Sequence, residues 1–399
     1  MSPLKNYPMQ KESDSYLRLA KNVIADDNQD KNLILSPLSI HVVLSITLAG
    51  SSGSARAQLL TYLKTESVEN LNFLYSQIAT TVFADGSHVG GPLLSTKNGL
   101  WVDRSLTFKP VFRDVVHNSY KAVAQLADFI NQPEEARKEV NAWCEKETKG
   151  LIKEILPPDS VTEDTRLIFT NTVYFKGKWN QIFNANLTRD VDFYLLNGSS
   201  VRAPFMTNRY MQCVEAFDGF KVLRLSYQQG SDKRRFSLYI YLPDARDGLP
   251  SLTERMCSEP GFMESHLPCS AVTLDEFGIP KFKIGFEFEA TSVMKKLGVV
   301  DIFNVRGLME MVEDGDYLAV NEIRHKAFVE VNEEGTVAVA VTEESDDDMG
   351  WGLGDEEEEP KMRFVADHPF LFTIREDTSG VLLFVGRLLD PLADSSFQD

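Results

Sequence analysis

Few residues of this chain are spaced as a reaction centre needs them. The four cysteines, Cys144, Cys213, Cys257 and Cys269, fall at no metal-ligand spacing and are too few for a disulfide framework. They read as free thiols in a reducing compartment. The six histidines do not cluster: His325 lies in a strand-like stretch and reads as a satisfied core imidazole, and His368 precedes a proline in a turn. No GxSxG elbow, HExxH pair, CxxC pair or GxxxxGK[ST] loop is present. Gly350, Gly352 and Gly354 come nearest to a phosphate cradle, but their spacing is wrong, no strand precedes them and acids surround them. The residues point to no enzyme, no cofactor and no metal site.

The chemically unusual stretch is Glu333 to Asp348, EEGTVAVAVTEESDDD. Thr336 to Thr342 are small or β-branched and suit a pleated strand. Acids then return at nearly every position, and neither face of a sheet can bury them cheaply. From Glu343 to Glu359 there are ten acids and no Lys or Arg. That run lacks the ligand spacing and turn glycine of a calcium loop, so it reads as a solvated, disordered segment or an interaction tag.

The chain has 399 residues and a net charge of −18, of which this segment supplies −10. The remaining −8 is ordinary for a soluble protein. No basic tract offsets it, so nucleic acid is not an expected partner. The N-terminus, MSPLKNYPMQKESD, lacks the apolar core of a signal peptide. The longest apolar stretch, Ile40 to Gly50, contains His41 and is too short to span a bilayer. A cytoplasmic protein without membrane attachment is expected, an unconventional route outward being the alternative. Asn186-Leu-Thr and Asn197-Gly-Ser match the glycosylation pattern, which a chain that is not secreted leaves unused.

The elements that must position these residues follow from periodicity. Asp14–Ala25 has helical spacing. Asn32–Leu35 reads as a short strand. Ser36-Pro37 then caps and opens a nearly all-apolar helix, which Gly50 to Gly53 ends. Helices are expected over Ser54–Leu63, Pro110–Tyr120, Pro133–Thr148 (Val140 and Trp143 inward), Ser251–Met256 and Thr291–Leu297. Strands are expected over Leu93–Val102, Arg166–Phe175 (covered on both faces), much of Val191–Leu242, Val272–Phe288 around Pro280, Tyr317–Asn332, Phe370–Ile374 and Val381–Leu388. No linker or repeat divides the chain, so residues 1–399 are expected to form one α+β domain.

The residues resemble the serpin family. The resemblance is carried by Asn32 with Ser36-Pro-Leu-Ser39, Thr170-Asn-Thr-Val-Tyr-Phe-Lys-Gly-Lys-Trp179, Ile279-Pro-Lys281, His325-Lys-Ala-Phe-Val-Glu-Val-Asn-Glu-Glu-Gly-Thr336 and Phe364-Val-Ala-Asp-His-Pro-Phe-Leu-Phe-Thr-Ile-Arg375. The wording of the last, with no signal peptide, is most similar to the plant (Z-type) serpins. The resemblance implies three sheets, about nine helices and an exposed reactive-centre loop over about 335–363, including the acidic segment 343–359. It implies a monomeric suicide inhibitor of serine or cysteine proteases, whose cut loop enters the central sheet as a strand. The alternative is a non-inhibitory serpin whose acidic loop is a substrate or a docking site for basic partners.

By the same resemblance Ser36, Ser39, Asn171 and His325 form a polar shutter beneath the parting strands. Trp179, Lys281 and Glu333 form the breach where the loop enters. Gly335, Thr336, Ala338, Ala340 and Thr342 form the hinge, and the scissile bond is Met349-Gly350, with Trp351 and Leu353 as alternatives. These suit a protease of chymotrypsin type, with an apolar pocket. Three features depart from the family pattern. Val337, Val339 and Val341 replace small residues, which fits if they face solvent. The loop is a few residues long for the plant type. Glu344, Asp346 and Asp348 share the inward face with Ala338 and Ala340, so insertion is expected to stop where the acids begin.

Overall fold

Leu167–Lys178 is buried at each of its first nine positions, and only a sheet covered on both faces allows that. The structure, a computed structural model, describes residues 9–25, 31–150, 152–313, 318–336 and 362–393. In chain order the elements are α1 (Met9–Ala25), β1 (Leu33–Leu35), α2 (Pro37–Ala49), α3 (Gly53–Tyr62), α4 (Val68–Thr81), β2 (Leu93–Asp103), α5 (Pro110–Tyr120), β3 (Val123–Ala127), α6 (Pro133–Glu147), β4 (Leu167–Lys178), β5 (Arg189–Tyr194), β6 (Ser200–Met206), β7 (Gln212–Phe217), β8 (Phe220–Ser226), β9 (Phe236–Pro243), α7 (Leu249–Ser258), α8 (Phe262–Ser265), β10 (Ala271–Val272), β11 (Leu274–Pro280), β12 (Phe282–Glu289), α9 (Thr291–Lys296), β13 (Glu322–Val331), β14 (Gly335–Thr336), β15 (Met362–Val365), β16 (Phe370–Glu376) and β17 (Val381–Leu388). The fold is α+β, with nine α-helices among the described residues. None of these helices is long and apolar enough to cross a membrane.

Three sheets result. Their orders are β12-β13-β14-β4-β2-β3, β1-β17-β16-β9-β8-β7-β10 and β15-β11-β6-β5. Helix α2 supports the first of them from within. Ser36 caps it by accepting from Ser39 N, Pro37 sits in its first turn, and all but its last residue are buried. A helix apolar all round must be enclosed, and α2 packs against β4 and β17. On the opposite face α6 lays Val140 and Cys144 over Trp101 and Ile168 in a second apolar cluster. Trp143 is only partly buried there, edge-on to Trp101.

Several elements differ from the sequence reading. Helix α4 was not expected, although Leu71, Leu74, Tyr75 and Ile78 form its buried face and Ser67 caps it. Strands β3 and β15 are too short to show a period. The strand expected from Tyr317 begins at Glu322 among the described residues, because Asn321 turns its Oδ1 to accept from the N–H groups of Arg166 and Leu167. That contact caps the start of β4.

Candidate functional site

The six-stranded sheet contains a seam. Strands β4 and β13 run parallel and pair directly, from Ile168 with Glu322 to Tyr174 with Phe328. Above that point they part. The chain turns at Asn332, whose Oδ1 accepts from Glu334 N and Gly335 N, and returns as β14 between them. Thr336 opposes Val331 on one side and Gly177 on the other. Gly335 opposes Lys178 so closely that a Cβ there would lie 2.0 Å from Gly177 O; glycine is required because backbone, not a movable side chain, fills the space. Of the loop expected over about 335–363, the described residues are 335–336 and 362–363. Gly335 and Thr336 are buried in the sheet and Met362 and Arg363 belong to β15, leaving 337–361 between.

Aromatic and charged side chains fasten this turn. Trp179 donates from its backbone to Glu334 O and from Nε1 to Asn332 O, each at 2.8 Å. Its ring stacks on Tyr227 at 4.6 Å, and Tyr227 OH lies 2.6 Å from Thr336 Oγ1. Lys281 Nζ sits 2.8 and 3.1 Å from the two Glu333 oxygens, and Thr188 Oγ1 donates to the same carboxylate at 2.8 Å. Burial alone would raise the Glu333 carboxyl, but hydrogen bonds from Lys281, its own backbone N–H and Thr188, with the lysine charge, hold it below the ordinary glutamate value. Trp179, Lys281 and Glu333 thus come together around this turn.

Lower in the seam a polar network spans three strands and α2. His325 and Asn171 are register partners across the seam, and Asn98 of β2 is the partner of Asn171 on its other side. Ser36 N–H donates to His325 Nε2 at 3.2 Å, so the ring hydrogen is on Nδ1, which donates to Asn171 Oδ1 at 2.7 Å. Ser39 Oγ donates to the same oxygen at 2.7 Å, with Ser36 O a second acceptor at 2.9 Å. Asn171 Nδ2 donates to Asn98 Oδ1 at 2.6 Å. Burial pushes the His325 imidazole down to about 3, so it is neutral. Ser36 takes part through its backbone, while its hydroxyl caps the helix.

Asn98, Tyr227 and Thr188 were not foreseen. Nor was Lys326, whose ammonium on the outer face of β13 bonds Glu154 O and Glu287. That contact ties the segment after α6 across the seam. Thr188 belongs to one glycosylation pattern; that signal did not point to Glu333. The other hinge positions, Ala338, Ala340 and Thr342, lie outside the described residues, as do Met349, Gly350, Trp351, Leu353 and the acidic run.

A family model described as "Serpin (serine protease inhibitor)" matches residues 11–391. The chain belongs to the serpin family, whose members are in general protease inhibitors, and its fold is the metastable serpin fold. Among curated proteins it is 50% identical to Serpin-ZX of Arabidopsis thaliana over 380 residues, covering 94% of this chain and 96% of the relative. It is 47% identical to Serpin-ZXA of Oryza sativa subsp. japonica, covering 91% of each. A solved Arabidopsis serpin, described as the native stressed conformation of AtSerpin1, superposes with a TM-score of 0.87 at 46% identity, covering 98% of this chain and 99% of that one.

Proposed function

We propose that this chain is a suicide inhibitor of serine endopeptidases: a protease cuts within 337–361, stays acylated to the cut end, and the freed strand enters the seam between β4 and β13. The seam is the observation that supports this most. Two parallel strands pair directly while a two-residue antiparallel strand already stands between their upper ends.

Continuing β14 in the pairings it has made assigns a berth to each residue that follows. Ala338 enters between Phe175 and Val329, Ala340 between Val173 and Ala327, and Thr342 between Asn171 and His325. These residues share the face of Thr336, and their neighbours are all buried. Small side chains fit there, and Thr342 brings a hydroxyl to the two groups whose contact it parts. Val337, Val339 and Val341 take the outer face.

Glu344 comes next, between Phe169 and Ile323, each 1% exposed. Burying a carboxylate raises its pKa by up to ~3–5 units, equivalent to roughly 4–7 kcal/mol. A net strand hydrogen bond returns only about 1 kcal/mol. The acids therefore act as a brake below the shutter, and protonation relieves it.

Counting along the hinge puts the scissile bond at Met349-Gly350, with Trp351 and Leu353 as further sites for an apolar pocket. No Lys or Arg occurs between Lys326 and Lys361, which disfavours trypsin-like targets. Incubation with chymotrypsin, read by denaturing gel and mass spectrometry, tests the reading. We expect an SDS-stable complex, cleavage after Met349, and a larger trapped fraction when Glu344→Gln, Asp346→Asn and Asp348→Asn are combined. Cleavage confined to Lys361 or Arg363 would overturn the bait bond. Cut chain without complex, in both the natural and the neutralised form, would overturn inhibition.

A further inference from the structure

Of the four cysteines, Cys144 and Cys257 are buried, Cys213 is half-buried and Cys269 is exposed. The last two lie beside each other. Strand β10 pairs with β7 so that Ala271 opposes Cys213. Cys269 lies two residues before Ala271, just outside the strand and near enough for its charge to act on Cys213. The Cys213 thiol lies 3.7 Å from Pro268 O, the carbonyl bonded to the Cys269 nitrogen. Cys269 N–H donates to Glu215 Oε2 at 3.3 Å, and its thiol turns to Leu267 O at 3.4 Å. A disulfide needs Cα atoms roughly 4.4–6.8 Å apart. Bringing the two into that range falls to residues 266–270, which lie in no helix or strand.

We propose that Cys213 and Cys269 join in a disulfide when the chain meets a low-molecular-weight disulfide such as oxidised glutathione. The exposed Cys269 thiolate attacks one glutathione sulfur; that S–S bond breaks and one glutathione leaves as thiolate. Cys213 then gives its proton to solvent and attacks the Cys269 sulfur, and the second glutathione leaves. Two protein thiols are oxidised and one glutathione disulfide is reduced to two thiols. Burial raises the Cys213 thiol above its ordinary value, so its attack is the slower step and the mixed disulfide on Cys269 precedes the bridge. The bridge pins 266–270 to β7, on the wall of a cavity of about 160 Å³ that Cys213 shares with Trp179 and Arg224. It therefore forms beside the residues that hold the hinge turn.

The test is non-reducing peptide mapping of the full chain after incubation in buffers of rising oxidised-to-reduced glutathione ratio. The expected product is a linked peptide pair containing Cys213 and Cys269, with Cys144 and Cys257 still reduced. Cys213→Ser should leave glutathione on Cys269, and Cys269→Ser should leave Cys213 unmodified. Glutathione persisting on Cys269 of the natural chain with Cys213 free, or dimers linked through Cys269, would overturn the proposal.

Discussion

At the scale of single residues, His325 links proton binding to the seam. It is enclosed, neutral, and holds Ser36 and Asn171 through its two ring nitrogens. The unfolded chain binds a proton there below the ordinary imidazole value, whereas the folded chain does so only near 3. Stability is therefore whole above that ordinary value and falls as pH drops beneath it, by about 1.4 kcal/mol per pH unit for one proton. His41, buried in α2 and also pushed down to about 3, adds a second such dependence. His325→Gln keeps a neutral hydrogen-bonding side chain without the titration. Denaturant unfolding from pH 6 to pH 4 should then show a slope shallower by about one proton; an unchanged slope would remove His325 from the account. The network's membership was only partly legible. Ser39, Asn171 and His325 were recognisable from the family motifs, but Asn98, 73 residues from its partner Asn171, is brought in by the β2–β4 register alone. Ser36 was legible as both helix cap and network member, and it is both, through different atoms.

At the scale of elements, the hinge strand β14 is set by its surroundings. Two residues carry no period, and the strand-like composition from Thr336 onward does not say where the strand sits; its contacts with Gly177, Tyr227 and Trp179 place it. Strand β15 is the same case. By contrast α5 runs from Pro110 to Tyr120 as expected, because Pro starts it and its buried residues keep helical spacing. Helix α4 carries an equally readable face, with Leu71, Leu74, Tyr75 and Ile78 at helical spacing. The element-scale prediction concerns what holds β14 down. Lys281 is partly exposed and its pair with Glu333 is worth ~0–1 kcal/mol, so it acts on opening rather than on global stability. Lys281→Glu sets two carboxylates together where the chain leaves the sheet. Polymerisation on heating should quicken while the denaturant midpoint stays nearly constant. An unchanged polymerisation rate would count against the pair as a latch.

At the scale of the molecule, the claim is that the sheet is stressed until a strand fills its seam, and that acids limit the filling. On the proposed insertion, burial would raise the pKa of any carboxylate that enters at Glu344. The inserted state then binds more protons than the free loop, so acid favours it. His41, packed between Tyr16 and Tyr62, titrates alike in both forms and cancels in their difference, and comparison in the His325→Gln background removes the histidine whose contact insertion parts. The decisive measurement is thus the melting temperature of chain cleaved within 337–361 minus that of intact chain, at pH 7 and pH 5. We predict a positive difference that grows from pH 7 to pH 5, and a large one at both pH values once Glu344, Asp346 and Asp348 are neutralised. A difference already as large at pH 7 as at pH 5 would contradict the acid brake, and coincident melting of cleaved and intact chain in every form would contradict insertion itself.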